Sequence, residues 1–320
     1  MTRATTEPPT IAPTAGVRAR MEALAHTAQQ RVCDAVERLE GEPCRESVWQ
    51  DGGTTYVDRV LEHGRVFDKV GVNFAVVRGT LTPAMARAAL GADTDLADSA
   101  PAFYATAASI VLHPRNPHAP SGHCNVRYFE VEPPEMCGEG GRAWFGGLAD
   151  LTPSYVVEED AQHFHGVLRE TCDAHDPAFY PRFKAWCDEY FHLPHRNEHR
   201  GIGGIFYDRL HDREPDALVA FAGDLADAFR RAYFPLVERR KDLPATPEQR
   251  RWQQLRRGRY VEFNLAVDRG TTFGLKSGGR TQSILMALPP SAEWAYDAGP
   301  RPGTPEAETV AILRNARKWA

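Results

Sequence analysis

The last third of the chain sets the tightest limit on its fold. Across residues 260–268, Val261, Phe263, Leu265 and Val267 alternate with polar neighbours, and 283–288 is an almost continuous apolar run. The Gly- and Arg-rich stretch DRGTTFGLKSGGR joins them. Period-two alternation marks a half-buried strand, and successive strands joined by short Gly-containing loops favour an antiparallel sheet over a doubly wound one. The same alternation recurs at 125–131, with Asn125, Arg127 and Phe129 on one face and Val126 and Tyr128 on the other. Shorter strands are expected at 74–77, 109–113 and 204–208. Helical spacing appears at 17–40 (Met21, Leu24, Ala28, Val32, Ala35, Leu39) and again around Phe164 to His175 and Phe183 to Phe191. A last helix is expected over 217–240, kinked or tightened near Pro235. With no internal repeat and no linker, the expectation is an α+β chain in which residues 17–320 form a single catalytic domain. A Thr-, Pro- and Ala-rich tail, 1–16, precedes it and is expected to be disordered.

Several function classes fall away on simple grounds. A net charge of −5 argues against generic nucleic-acid binding, so any anion site must focus its positive charge locally. No stretch approaches the roughly 18–20 continuous apolar residues of a membrane span, and no secretory signal opens the chain. Cys33, Cys44, Cys124, Cys137, Cys172 and Cys187 form no CxxC pair, which disfavours thiolate zinc and a disulfide framework and suits reduced thiols in a cytoplasm. There is no Walker-type phosphate loop, no G-x-S-x-G elbow and no H-E-x-x-H helix. GIGGIF, from Gly201 to Phe206, lacks the dinucleotide spacing and reads as a bulged or closely approached strand.

Polar residues that are costly to keep instead concentrate in a few blocks. These are SIVLHPRNPHAPSGHCNVRYFE, GGRAWFGGLADLTPSY, AQHFHGVLRETCDAHD, WCDEYFHLPHRNEHRGIGGIFYD, RRGRYVEFNLAVDRGT and GLKSGGRTQSILMALPP. Together with VFDKVGVNFA near Val66, and in this order up to about Tyr296, they closely resemble the oxygen-dependent coproporphyrinogen III oxidase family. Departures are confined to shape. The DGGTT stretch at 51–55 is poorer in Gly, Leu148 stands where Gly is common, and Ala75 and Ala287 stand where Ser is frequent. Gly122 and Cys124 flank His123 in place of other residues.

The resemblance implies a large, flat antiparallel sheet covered by helices on both faces. It implies a homodimer formed around residues 260–294, with the alternating strand there supplying an edge or face. The implied reaction is oxidative decarboxylation of coproporphyrinogen III with molecular oxygen as co-substrate and no organic cofactor. The implied substrate-binding positions are Ser109, Asn125, Val126, Arg127, Gly278, Gly279 and Arg280. His123 matches the proton donor, and His113, His123, His165 and His195 match a proposed divalent-metal set. Asp268 and Arg269 are further catalytic candidates, with Asp150 beside them; for Asp268 the competing reading is a cap on the DRGT turn. A substrate with four propionates needs several guanidinium groups, which pair carboxylates bidentately. His163, His175 and His199 read as structural. Two rival functions stay open: a histidine-ligated metal oxygenase acting on another anionic aromatic compound, and a porphyrin carrier without catalysis. A carrier has no need of a proton donor beside a base, so His123, Asp268, Arg269 and Arg280 together favour an enzyme.

Overall fold

The computed structural model describes residues 16–82, 101–132, 143–276 and 279–320. Residues 1–15 of the expected 1–16 tail, Cys137, Arg142, Gly278 and the Lys276 side chain lie outside the described residues.

Helix α1 (Val17–Glu40) opens the chain and ends at Gly41, whose left-handed φ of 85° only glycine adopts without strain. Strands β1 (Arg45–Asp51), β2 (Thr54–Glu62), β3 (Phe67–Thr80), β4 (Ala102–Pro114), β5 (Ser121–Glu132) and β6 (Ala143–Thr152) follow as a meander. Helices α2 (Glu158–Asp173) and α3 (Phe179–Tyr190) and the two-residue pair β7 (His192–Leu193) and β8 (Glu198–His199) come next. Strand β9 (Gly203–Leu210) then completes a seven-stranded antiparallel sheet in the order β1-β2-β3-β4-β5-β6-β9. Among the described residues five helices follow: α4 (Pro215–Arg240), α5 (Pro247–Glu262), α6 (Arg269–Lys276), α7 (Thr281–Leu285) and α8 (Pro305–Leu313). A π-helical turn, Phe263–Val267, joins α5 to α6. The α+β architecture with an antiparallel sheet is as expected. Among the described residues, no helix is long and apolar enough to cross a membrane.

The pleat assigns the two faces different work. Even-numbered residues of β4 and β5 (Tyr104, Ala108, Ile110, Leu112, Cys124, Val126, Tyr128) point into the main apolar core beneath α1, α2 and α4. Odd-numbered residues point the other way: Ser109, His123, Asn125 and Arg127 form a polar patch, beside an apolar cluster that includes Phe103 and Val131. Helix α3 wraps the β9 edge, setting Phe183 on Tyr207 on the core side and Tyr190 on Phe206 on the polar side.

Two strand expectations fail, both in the segment covering the polar face. Residues 260–268 are the end of α5 and the π turn, and 283–288 begin as α7. The buried set is Tyr260, Phe263 and Asn264, which is helical spacing, while Leu265 is 52% exposed. The period-two count followed apolar identity rather than burial. A helix start was visible upstream: Thr246-Pro247-Glu248-Gln249 forms a reciprocal capping box. In 283–288 a short, continuous apolar run carries no period to tell strand from helix, and Ser283 and Met286, three apart, are the buried pair within α7 and its cap. With the strand gone, no strand edge at 260–268 is available for pairing between subunits.

Candidate active site

Strand register lays the polar face out in rows. One row crosses the sheet through Asp58, Asn73, Ser109, Asn125, Leu148 and Phe206. The next holds Gly71, Val111, His123, Asp150 and Gly204, and on the other side lie Ala75, Ala107, Arg127 and Gly146. Ser109, His123, Asn125 and Arg127 are half-buried, so the centre of this floor is reachable. The rim comes from α3, α5, the π turn, α6 and α7.

His123 is the best-defined group. Its Nδ1 lies 3.0 Å from Asp150 Oδ1, and Arg200 Nη2 donates to Asp150 Oδ2 at 2.6 Å. Burial pushes the Asp150 carboxyl up, but Arg200 and the His123 hydrogen bond more than offset this and hold it below the usual carboxylate range. An ionised carboxylate only accepts, so Nδ1 carries a proton. That leaves Nε2 as the exchangeable site of an imidazole whose orientation is fixed, as a general acid–base requires. Arg200 is almost fully buried, and its guanidinium lies over Phe191, Tyr260 and Phe263 at 4.2, 4.5 and 4.8 Å. Asn264, in the wider π turn, approaches it at 3.3 Å. A π turn inserted at the end of α5 brings Phe263 and Asn264 inward together, a recurrent device at functional sites.

Arg127 lies along the floor. It donates to Asn125 Oδ1 and to Asp208 Oδ1, both at 2.9 Å, and Asp208 keeps it firmly charged despite burial. Gly146 lies beneath it and leaves it room, since a Cβ there would displace the guanidinium from its present position. Asn125 also donates to the Ala108 carbonyl at 3.1 Å. At the far end of the row Arg280 Nη1 and Ser283 Oγ donate to Asp58 Oδ2, at 3.1 and 2.6 Å, while Asn73 donates to Oδ1 at 2.7 Å. Arg280 thus stands over β2, while the Arg127 side chain reaches from β5 across Gly146 of β6 towards Asp208 of β9, so the two lie on well-separated strands of one face.

Asp268 caps α6. Gly270 N, Thr271 N, Thr271 Oγ1 and Tyr190 Oη donate to it at 3.1, 3.1, 2.6 and 2.5 Å. Burial raises its carboxyl, and the Thr271 and Tyr190 hydroxyls with the two backbone N–H groups outweigh that, leaving it below the usual range. The capping reading therefore holds, and it places Asp268 on the same rim. Arg269 is exposed, has no ion pair among the described residues, and lies over the Tyr190 ring at 5.4 Å.

Not every expected residue joins this group. The Val126 side chain points into the opposite core, so only its backbone is on offer. Gly279 is near α7, beside Arg280, but Gly278 is outside the described residues. The four histidines of the metal set are not brought together. His113 donates through Nε2 to the Ala287 carbonyl and accepts from Ser121 through Nδ1, at 2.9 and 3.1 Å. His165 is buried in the opposite core, held by the Ile202 carbonyl and Tyr180 hydroxyl at 3.1 and 3.0 Å. His195 is exposed and paired with Glu262 at 2.8 Å. Among the described residues no cluster of three or more His, Cys, Asp or Glu could hold a metal. The donor set does not fit the ion.

His113 and His165 have a stability consequence. Burial, aided by Arg257 at His113 and Lys184 at His165, lowers both to about 3. Unfolded histidine titrates near 6.5, so between these values the unfolded chain binds more protons than the folded one. Stability should therefore fall as pH drops from about 6.5 towards 3. Thermal melts across this range test it: His165→Gln should start lower but slope less, and an unchanged slope would refute the assignment.

Sequence reasoning assigned no role to Asp58, Asn73, Asp208, Tyr190 or Phe206, and counted Arg200 among the cations available to substrate carboxylates, whereas the structure pairs it with Asp150. A lone Asp within the strand-like TYVDRVLE was the available signal for Asp58. The others needed the register.

Comparison with known proteins supplies the family. The family described as Coproporphyrinogen III oxidase matches residues 20–319. This chain belongs to that family. It is 50% identical over 306 residues to coproporphyrinogen-III oxidase 1, chloroplastic, of Arabidopsis thaliana, covering 95% of this chain and 79% of the relative. It is 49% identical over 306 residues to the oxygen-dependent coproporphyrinogen-III oxidase, chloroplastic, of Glycine max, covering 95% and 80%. The oxygen-dependent coproporphyrinogen-III oxidase of Drosophila melanogaster is 46% identical over 311 residues, covering 95% and 78%. The floor and rim are thus the polar face of a coproporphyrinogen III oxidase family sheet. Two of its departures, Ala75 and Leu148, fall on that floor.

Proposed function

We propose that this chain converts two propionates of coproporphyrinogen III to vinyl groups, giving protoporphyrinogen IX, with oxygen as the acceptor. For each group the balance is propionate side chain (acid form) plus O2 to vinyl, CO2 and H2O2. The observation that carries this reading is the gathering of Arg127, Arg280, His123, Asp268 and Arg269 around one face of a sheet in an otherwise acidic protein. Guanidinium groups on well-separated strands of one face suit a macrocycle with carboxylates on its periphery. Ala75 and Ala107 give a small-residue floor between them, over which a ring can lie.

The reduced pyrrole is electron-rich, so removal of its N–H proton activates it to attack oxygen. The resulting ring peroxide removes a proton from the side-chain carbon next to the ring. The ring C–O bond breaks to release the peroxide as H2O2, and loss of CO2 then forms the vinyl group as the ring nitrogen regains its proton. Asp268 would accept the pyrrole N–H in place of the Tyr190 hydroxyl, and Arg269 would anchor the reacting propionate. His123, held by Asp150, would move the proton. Ser109, Asn125, the Val126 backbone and Gly278-Gly279-Arg280 would hold the remaining groups. Preorganised cations and N–H donors beside the ring stabilise the negative charge that develops, without an organic cofactor. Exposed Leu265, Leu275 and Trp294 favour a homodimer through 260–294, by helix and loop surfaces rather than a strand. The five described cysteines are unpaired, which suits a reducing compartment such as the cytoplasm.

Aerobic incubation of the purified protein with coproporphyrinogen III tests the assignment, with product read as protoporphyrin fluorescence after oxidation. One CO2 per vinyl group is expected, equally in chelator-treated protein. Tight binding without product would favour the carrier, and loss of activity on chelation would favour a metal oxygenase.

A further inference from the structure

A second concentration of positive charge lies on the opposite side of the sheet. On the outer surface where α1 meets α4, Arg38, Arg230, Arg231 and Arg239 line a groove of about 480 Å3 with Phe234 and one acid, Glu238. These guanidinium groups are poorly compensated. Arg230 shares Asp227 with Arg31, and its Nε is buried without a partner. Arg231 has a 3.3 Å contact with the Thr171 hydroxyl. Arg239 donates to the Pro235 carbonyl at 3.3 Å and stands 3.6 Å from Asp160, which Arg240 already engages through both oxygens. Arg38 and Glu238 have no hydrogen bond or ion pair among the described residues.

Four like charges around one concavity repel one another, and a net charge of −5 makes this local excess more pronounced. Multiple unfilled N–H donors around a partly apolar base call for an anion rich in oxygens, because each planar guanidinium can engage two of them. We propose that this groove binds a phosphoryl anion of two or more charges, of the pyrophosphate or nucleotide-phosphate type. The α1–α4 layer separates it from the polar face of the sheet, so it is a site distinct from the one that takes the porphyrinogen.

Inorganic pyrophosphate titrated calorimetrically into the full-length protein is the test, with sulfate at matched ionic strength as reference. Wild type should bind pyrophosphate more tightly than sulfate, and Arg269→Ala, on the opposite face, should bind it equally well. Arg38→Gln, which breaks no described contact, should weaken binding on the order of tenfold, and Arg38→Ala/Arg231→Ala about a hundredfold, at roughly tenfold per charged hydrogen-bonding group lost. Turnover of coproporphyrinogen III should be unchanged in both. Wild-type affinity in Arg38→Gln, no preference over sulfate, or loss of binding in Arg269→Ala would each overturn the proposal.

Discussion

Replacing Asp150 with Asn is expected to lower turnover by roughly 10²–10⁴-fold, the range associated with a positioned general acid–base. The carboxylate accepts from His123 on one oxygen and from Arg200 on the other. An amide offers only one acceptor, so its NH2 must face either the imidazole or the guanidinium. If it faces the imidazole, Nδ1 becomes an acceptor, the proton moves to Nε2, and the base is lost in its working orientation. If it faces Arg200, a buried cation meets a donor. Either way Arg200, about 1% exposed, loses its counter-charge, and breaking a buried pair in this manner costs about 3–5 kcal/mol. Urea unfolding and aerobic turnover at saturating substrate separate the two effects. The double variant Asp150→Asn/Arg200→Met should recover much of the stability but none of the activity. A wild-type turnover number in Asp150→Asn would remove the His123–Asp150 pair from the reaction.

Arg280→Met should act mainly on substrate binding, lowering kcat/KM by roughly 10–100-fold, chiefly through KM, with a smaller loss of stability than Asp150→Asn. Arg280 spends one N–H on Asp58, so most of its fork is open to a carboxylate. Loss of a charge-assisted hydrogen bond to substrate is worth about 1.5–3 kcal/mol. Asp58, a buried carboxylate, keeps Ser283 and Asn73 as neutral donors but loses its ion pair with Arg280, so a folding cost of about 1–3 kcal/mol is expected. Arg127 differs: both its terminal nitrogens are engaged, by Asn125 and Asp208, and its removal would disturb the floor as well as the substrate. Steady-state kinetics with a parallel melting curve checks the contrast. An unchanged KM in Arg280→Met would place the substrate carboxylates elsewhere.

Much of the scaffold could be read from local pattern. Helix 17–40 has its expected limits because Gly41 can turn left-handed and its neighbours cannot. The alternation at 125–131 correctly put Asn125, Arg127 and Phe129 on one face, since side-chain direction in a strand is fixed by parity alone. The same rule misled at 260–268, where a helix with a π turn buries Tyr260, Phe263 and Asn264, and an alternating apolar sequence is a coincidence of composition. Parity also assigns a face without saying what covers it. That is why Val126 entered the substrate set from the resemblance although its side chain belongs to the opposite core.

What the sequence determined by itself was the inventory: which residues alternate, which helices cap, and which arginines and histidines the chain carries. The grouping of those residues was decided only by the tertiary structure, because it depends on strand register and on which segment folds back over the sheet. Register put Asp150 beside His123 from 27 positions away, and the return of α7 set Arg280 over Asp58 from 222 positions away. The same long-range geometry separated His165 and His195 from His123, since hydrogen-bond partners distant in sequence hold each imidazole where it is.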